Sequence, residues 1–128
     1  MITLPIYYTQ TFKTKNDKTI LVGMNWYRNC KVYFLLNAVK QHYHQLVSTQ
    51  LPPAIAGQYK LHIDIYYKNP SSDGANISAL MEKFLLDALQ EYGVTQNDNV
   101  TYHLGTTWSV AGQDKLNPRA EITLQEIT

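Results

Sequence analysis

Tyr59-Lys60-Leu61-His62-Ile63-Asp64-Ile65-Tyr66-Tyr67, the break Asn69-Pro70-Ser71-Ser72-Asp73-Gly74, and the run from Asn76 to Tyr92 together decide the fold. The first segment alternates, with Leu61, Ile63 and Ile65 on one face and His62, Asp64 and Tyr66 on the other. That period of two is the mark of a half-buried strand. In the third segment Ile77, Leu80, Met81, Phe84, Ala88 and Leu89 recur at helical spacing and form one apolar stripe. Gly93 follows it, a residue suited to the left-handed position that closes a helix.

Outward from this strand and helix, the pattern on the N-terminal side is again helical. Val32, Leu35, Leu36, Val39, Tyr43, Leu46 and Val47 predict one long helix beginning near Tyr27, which Pro52-Pro53 forbids to continue. Before it, Ile2 to Tyr8 reads as a strand, Thr9 to Lys18 as a polar stretch, and Thr19 to Val22 as a second short strand. On the C-terminal side, Thr95 to Asn99 is a loop and Val100 to Val110 a strand. Ala111 to Pro118 reads as a turn, and Ala120, Ile122 and Leu124 alternate in a closing strand. The order β-(β)-α-β-α-β-β predicts an α+β domain, a small mixed sheet with two main helices packed on it. At 128 residues the chain fits a single domain.

Composition bounds the function. Hydrophobic residues at 45% provide for a core, and 11 Lys and Arg against 10 Asp and Glu leave a net charge of +1. That balance excludes a domain held on nucleic acid by bulk positive charge, though not a local basic face. Cys30 is the only cysteine, so an intramolecular disulfide and a cysteine-based zinc site are excluded. No apolar run approaches the roughly 20 residues that span a bilayer. Met1 to Pro5 lacks the basic start and apolar stretch of a signal peptide, so the expectation is a cytoplasmic protein with no membrane partner.

Taken singly, the polar residues are ordinary. Asp73 precedes a helix, where Asp is a favoured N-cap, and Asp98 lies in Gln96-Asn97-Asp98-Asn99, a polar turn. Asn76, Lys83 and Asp87 fall within an arc of about 40° on a helical wheel and make a polar stripe, or a solvated flank, with Lys83 and Asp87 spaced as an i,i+4 pair. Ala79 and Leu86 lie off the main apolar stripe, a hint of a second contact such as a dimer interface. His42 and His44, two apart on a helix, point away from each other, which argues against a metal pair. Lys13, Lys15, Lys18, Arg28 and Lys31 are the densest positive region and suit phosphate contacts. Tyr7, Tyr8, Trp26 and Tyr27 stand near them in sequence, either as packing residues or as platforms for unpaired bases.

In order, however, Asp73-Gly74-Ala75-Asn76-Ile77, Glu82-Lys83-Phe84-Leu85-Leu86-Asp87-Ala88-Leu89, Tyr92-Gly93-Val94 and Asn97-Asp98-Asn99 resemble the RusA-type Holliday-junction resolvases. That family's pattern is Asp-x-Asp-Asn, a helix ending in Lys-x-x-x-Asp-Ala-Leu, then Gly and a loop with Asp-Asp. Asn25-Trp26-Tyr27-Arg28 and Asn117-Pro118-Arg119-Ala120-Glu121-Ile122 resemble its N-terminal region and closing strand, and the length suits these small phage and prophage proteins. The resemblance implies a homodimeric endonuclease that nicks branched DNA with Mg²⁺, or Mn²⁺ in its place. On the matching positions Asp73 and Asp98 are the metal-binding acids, Lys83 the helical lysine and Asn76 the asparagine of the motif. Such chemistry needs hard oxygen ligands and a water activated by the cation.

One position departs from the pattern. The second Asp of Asp-x-Asp-Asn is Ala75, which cannot hold a metal. Either Asp64 or another acid substitutes, or the chain is inactivated, or it binds without cutting. Asp73 and Asp98 also flank a helix of about 25 Å, so they share a cation only if the chain after Gly93 runs back or a second subunit supplies one of them.

Overall fold

A computed structural model describes residues 1–127. The main sheet has four strands: β1 (Ile2–Pro5), β4 (Gln58–Tyr67), β5 (His103–Gln113) and β6 (Arg119–Ile127), in the order β1-β6-β4-β5. β6 runs antiparallel to β1 and β4, whereas β4 and β5 are parallel. The parallel pair requires a crossover, and α3 (Gly74–Glu91) provides it. A separate hairpin joins β2 (Tyr7–Gln10) to β3 (Lys18–Leu21). Two further helices follow it, α1 (Met24–Asn29) and α2 (Tyr33–Ser48). This is the expected α+β architecture with a mixed sheet.

The core lies between the helices and one face of the sheet. Leu61, Ile63 and Ile65 of β4, Ile2 and Leu4 of β1, and Ala120 and Ile122 of β6 are all buried there, as the alternation of β4 predicts. Against them stand Val39, Tyr43 and Val47 of α2 and the stripe Ile77, Leu80, Met81, Phe84, Ala88 and Leu89 of α3. Leu86, off that stripe, is also only 7% exposed and belongs to this core, so it is not a dimer contact. Tyr43 stacks on Phe84 at 5.1 Å and its hydroxyl donates to the Pro5 carbonyl, tying α2 to β1. Burial pushes its phenol far above the ordinary range.

Several boundaries differ from expectation, each for a local reason. Ile2 to Tyr8 is two strands, because Ile6 turns into the core and its carbonyl accepts from Val22 N–H beside the hairpin. The long N-terminal helix is two helices. Cys30 and Val32 take extended backbone angles, and the β-branched Val32 stands outside the apolar stripe as the N-cap of α2. β5 starts at His103 rather than Val100, since the Asn97 and Asn99 side chains bond the backbone N–H groups of Asn99 and Thr101 and hold a turn there. It continues through Ala111 to Gln113, which shortens the expected Ala111–Pro118 turn.

Candidate functional site

The motif-bearing segment is α3 and the loops at its two ends. At the start, Asp73 is the N-cap: its carboxylate accepts the Asn76 N–H at 3.2 Å, the ordinary structural use of an Asp there. Asp73 is exposed, so its second carboxylate oxygen stays free for other partners. Gly74 lies against the Trp108 ring of β5, and a Cβ added to it would stand 2.5 Å from that ring. This close approach fixes the first turn of α3 beside the sheet edge. Ala75 is exposed in the same turn.

Asn76 has a structural task. Its side-chain oxygen accepts the Asn25 N–H at 2.6 Å, and a Cβ on Gly23 would stand 2.2 Å from its amide nitrogen. Asn76 therefore clamps the start of α1 to α3. Lys83, two turns on, lies 5.8 Å from the Tyr27 ring of α1 and 3.7 Å from Asp87. The polar stripe of α3 is thus the seat of α1 rather than an open flank. Lys83 also stands about 15 Å along the axis from Asp73.

Asp98 is at the other end. α3 is about 27 Å long, and the chain leaving it does not run back along it. Ile55 bridges Thr95, and Tyr59 at the beginning of β4 donates from its hydroxyl to the Asn97 carbonyl at 2.9 Å. Burial pushes the Tyr59 phenol up, and the nearby Asp98 charge adds to the shift. Asp73 follows the end of β4 and Asp98 faces its beginning, so one chain does not bring these two acids to one cation.

Asp64 does not join either of them. It projects from the sheet face opposite the helices, where Ser109 donates to it at 2.8 Å and His62 Nε2 lies 3.0 Å away. The Ser109 hydrogen bond, with help from His62, holds its carboxyl below the usual range. Thr107 bonds the other nitrogen of His62 at 2.6 Å. The expected trio of Asp73, Asp98 and Asp64 is therefore not assembled within one chain. Among the described residues, no three His, Cys, Asp or Glu side chains are close enough to hold a metal ion.

The basic residues fare differently. Lys13, Lys15, Lys18, Arg28 and Lys31 are all exposed, on the hairpin and the α1–α2 corner. Tyr7, Tyr8, Trp26 and Tyr27 are instead half-buried against the core, which is the packing use. His42 is edge-on to Tyr8 and Tyr43, and His44 is buried and bonded to Glu91. His103 stacks on Tyr59 and bonds Thr106. Cys30 sits in the break between α1 and α2, not inside a helix. The chain matches no family model and no curated protein, so the likeness to resolvases rests on its own residues. No helix among the described residues is long and apolar enough to cross a membrane.

Two features escape a periodicity argument. The polar network of His62, Asp64, Thr107 and Ser109 crosses the parallel pair β4–β5, and its register cannot be read before the pairing is known. Tyr33 and Phe34, 81% and 71% exposed, are hidden when the region is read as one continuous helix.

Proposed function

We propose that the chain is a RusA-like, Mg²⁺-dependent endonuclease for four-way DNA junctions, whose active site is completed by a second copy. The observation that carries this reading is the separation of Asp73 and Asp98 along α3, beside a sheet edge that nothing covers. Among the described residues β5 is the last strand of the sheet and pairs only with β4. Two copies joined edge to edge through antiparallel β5 strands would set the Asp73 end of one against the Asp98 end of the other, with all helices on one side. Asp73 and Asp98 of the partner subunit would then hold the cation, which supplies a water activated for attack on phosphorus. On this reading Lys83 and Asn76 seat α1 on α3 and do not touch the scissile phosphate. The homodimer implied by the resemblance becomes a requirement of the chemistry. A cytoplasmic, phage or prophage setting belongs to the same proposal.

The test uses a synthetic four-way junction with Mg²⁺. Asp73→Asn and Asp98→Asn each abolish nicking, and a mixture of the two variants regains part of it, because one active site of a mixed dimer keeps both acids. Cutting by both single variants would overturn the site.

Ala75 and the capping role of Asp73 favour a second reading, a RusA-like module that binds junctions or a protein without cutting. It expects no nicking at any Mg²⁺ or Mn²⁺ concentration, and a gain of nicking in Ala75→Asp.

A further inference from the structure

Two of the chain's large apolar side chains are exposed at the tip of the α1–α2 corner, in a stretch of sequence whose charges are all positive. Tyr33 and Phe34 open α2 and project into solvent. Beside them a cleft between the hairpin and the corner is lined by Lys18, Trp26, Asn29, Lys31, Val32 and Leu35. On the other side Tyr33 and Lys40 line a second cleft with Tyr27. From Lys18 to Ile63 the sequence carries Lys18, Arg28, Lys31, Lys40 and Lys60 and no Asp or Glu. The near-zero net charge of the molecule therefore conceals a local excess of cations: Asp17 is the one acid of the hairpin and α1–α2 corner, against Lys13, Lys15, Lys18, Arg28 and Lys31.

Exposed aromatic rings amid cations, with no carboxylate along the chain around them, complement one chemistry well. A single nucleic-acid strand offers flat unpaired bases for stacking and regularly spaced phosphates for the cations. A duplex hides its base faces, so rings such as these find no partner on it. A protein segment would need acidic residues for Lys18, Arg28 and Lys31 and apolar ones for the rings. We propose that the α1–α2 corner binds an unpaired stretch of DNA strand, with Tyr33 and Phe34 stacked on successive bases and Lys18, Arg28 and Lys31 on the flanking phosphates. The surface is a non-catalytic contact. It takes from the nuclease reading only that the ligand is DNA, and it locates the part of a branched substrate that the protein grips away from the acids.

The test is fluorescence anisotropy of a labelled oligothymidine of about 12 nucleotides against the full chain. Tyr33→Ala with Phe34→Ala weakens binding at least about tenfold, the scale of losing base–aromatic stacking. Arg28→Ala with Lys31→Ala lowers the slope of log affinity against log salt by about 0.7 for each phosphate that is no longer neutralised. In a chain carrying Tyr33→Trp and Trp26→Phe, oligothymidine quenches indole emission beyond what it does to the Trp26→Phe chain, whose sole indole is Trp108, and heparin, an anion without bases, does not. Circular dichroism confirms that the variants fold. Unchanged affinity in the aromatic double variant, the outcome expected of a protein-docking surface, overturns the proposal, as does an indole indifferent to saturating oligothymidine. Strand binding with quenching but no junction cutting would leave this surface standing and remove the nuclease; cutting without strand binding would do the reverse.

Discussion

The two edges of the main sheet are built in opposite ways. β1, at one edge, is four residues long and ends on Pro5. The Gln50 side chain closes it: its amide oxygen accepts the Thr3 N–H at 2.8 Å and its nitrogen donates to the Thr3 carbonyl at 2.9 Å. The Tyr43 hydroxyl takes the Pro5 carbonyl as well. β5, at the other edge, runs for eleven residues and contains no Lys, Arg, Asp, Glu or Pro. Leu104, Trp108 and Val110 are exposed along it, between 41% and 54%. Short length, proline and covering side chains are the usual guards against stray strand pairing, and β1 has all three. β5 has none. Its register with β4 shifts twice, between Tyr59 and Lys60 and between Ile65 and Tyr66, and these irregularities are its one guard; the proposed dimer pairs through this less protected edge.

The largest effect should come from charging β5. Val110→Lys places a cation on the open edge without entering the core, since Val110 is 54% exposed. We expect a melting temperature within a few degrees of the parent, a change from dimer to monomer in sedimentation, and loss of junction cutting by orders of magnitude. A variant that stays dimeric would place the interface elsewhere and dissolve the contrast between the edges.

A smaller effect is expected at the closed edge. Gln50→Ala removes both bonds to Thr3 and one to the Leu46 carbonyl, while leaving the core intact. Urea unfolding should show a loss of about 1–2 kcal/mol, the net value of a few part-buried hydrogen bonds. Amide exchange should quicken at Thr3 and not at β5. Equal quickening at both edges would mean that Gln50 stabilises the domain generally and does not guard β1.

How much of this is legible in the sequence follows from what each feature depends on. The alternation of Leu61, Ile63 and Ile65 and the stripe from Ile77 to Leu89 are local patterns, and they place β4, α3 and the core face correctly. The N-cap role of Asp73 and the helix-closing Gly93, at φ 74°, are equally local. What escapes is non-local. Whether Asp64 comes near Asp73 depends on where the loop after β4 carries Asp73 relative to the polar sheet face, and alternation along β4 does not fix that. Whether Asp98 returns to Asp73 depends on the loop after Gly93, which Tyr59 and Ile55 hold at the far end of the sheet. The break at Cys30-Lys31-Val32 is invisible to periodicity because Val32 and Leu35 keep helical spacing across it, and a period counts positions without testing backbone angles.

The smallest expected effect lies on the bare side of β5 and tests whether its polar face is as ordered as its edge is open. Ser109 donates to Asp64 across the β4–β5 pair, and this bond is the largest cause of the depressed carboxyl pKa. Ser109→Ala should therefore raise the Asp64 pKa toward the ordinary aspartate range, as followed by carboxyl carbon NMR. The sign for stability follows from linkage. A carboxyl whose pKa is lowered in the folded state contributes stability above its unfolded pKa and loses it as pH falls through the folded value. Parent and variant should thus differ most near neutrality and converge in strong acid, by a small amount because Asp64 is 38% exposed and water screens the interaction. An Asp64 titration unchanged by Ser109→Ala would mean that the β4–β5 register is looser at this face than the hydrogen bonds require. The open edge would then reflect a mobile strand rather than one held ready to pair.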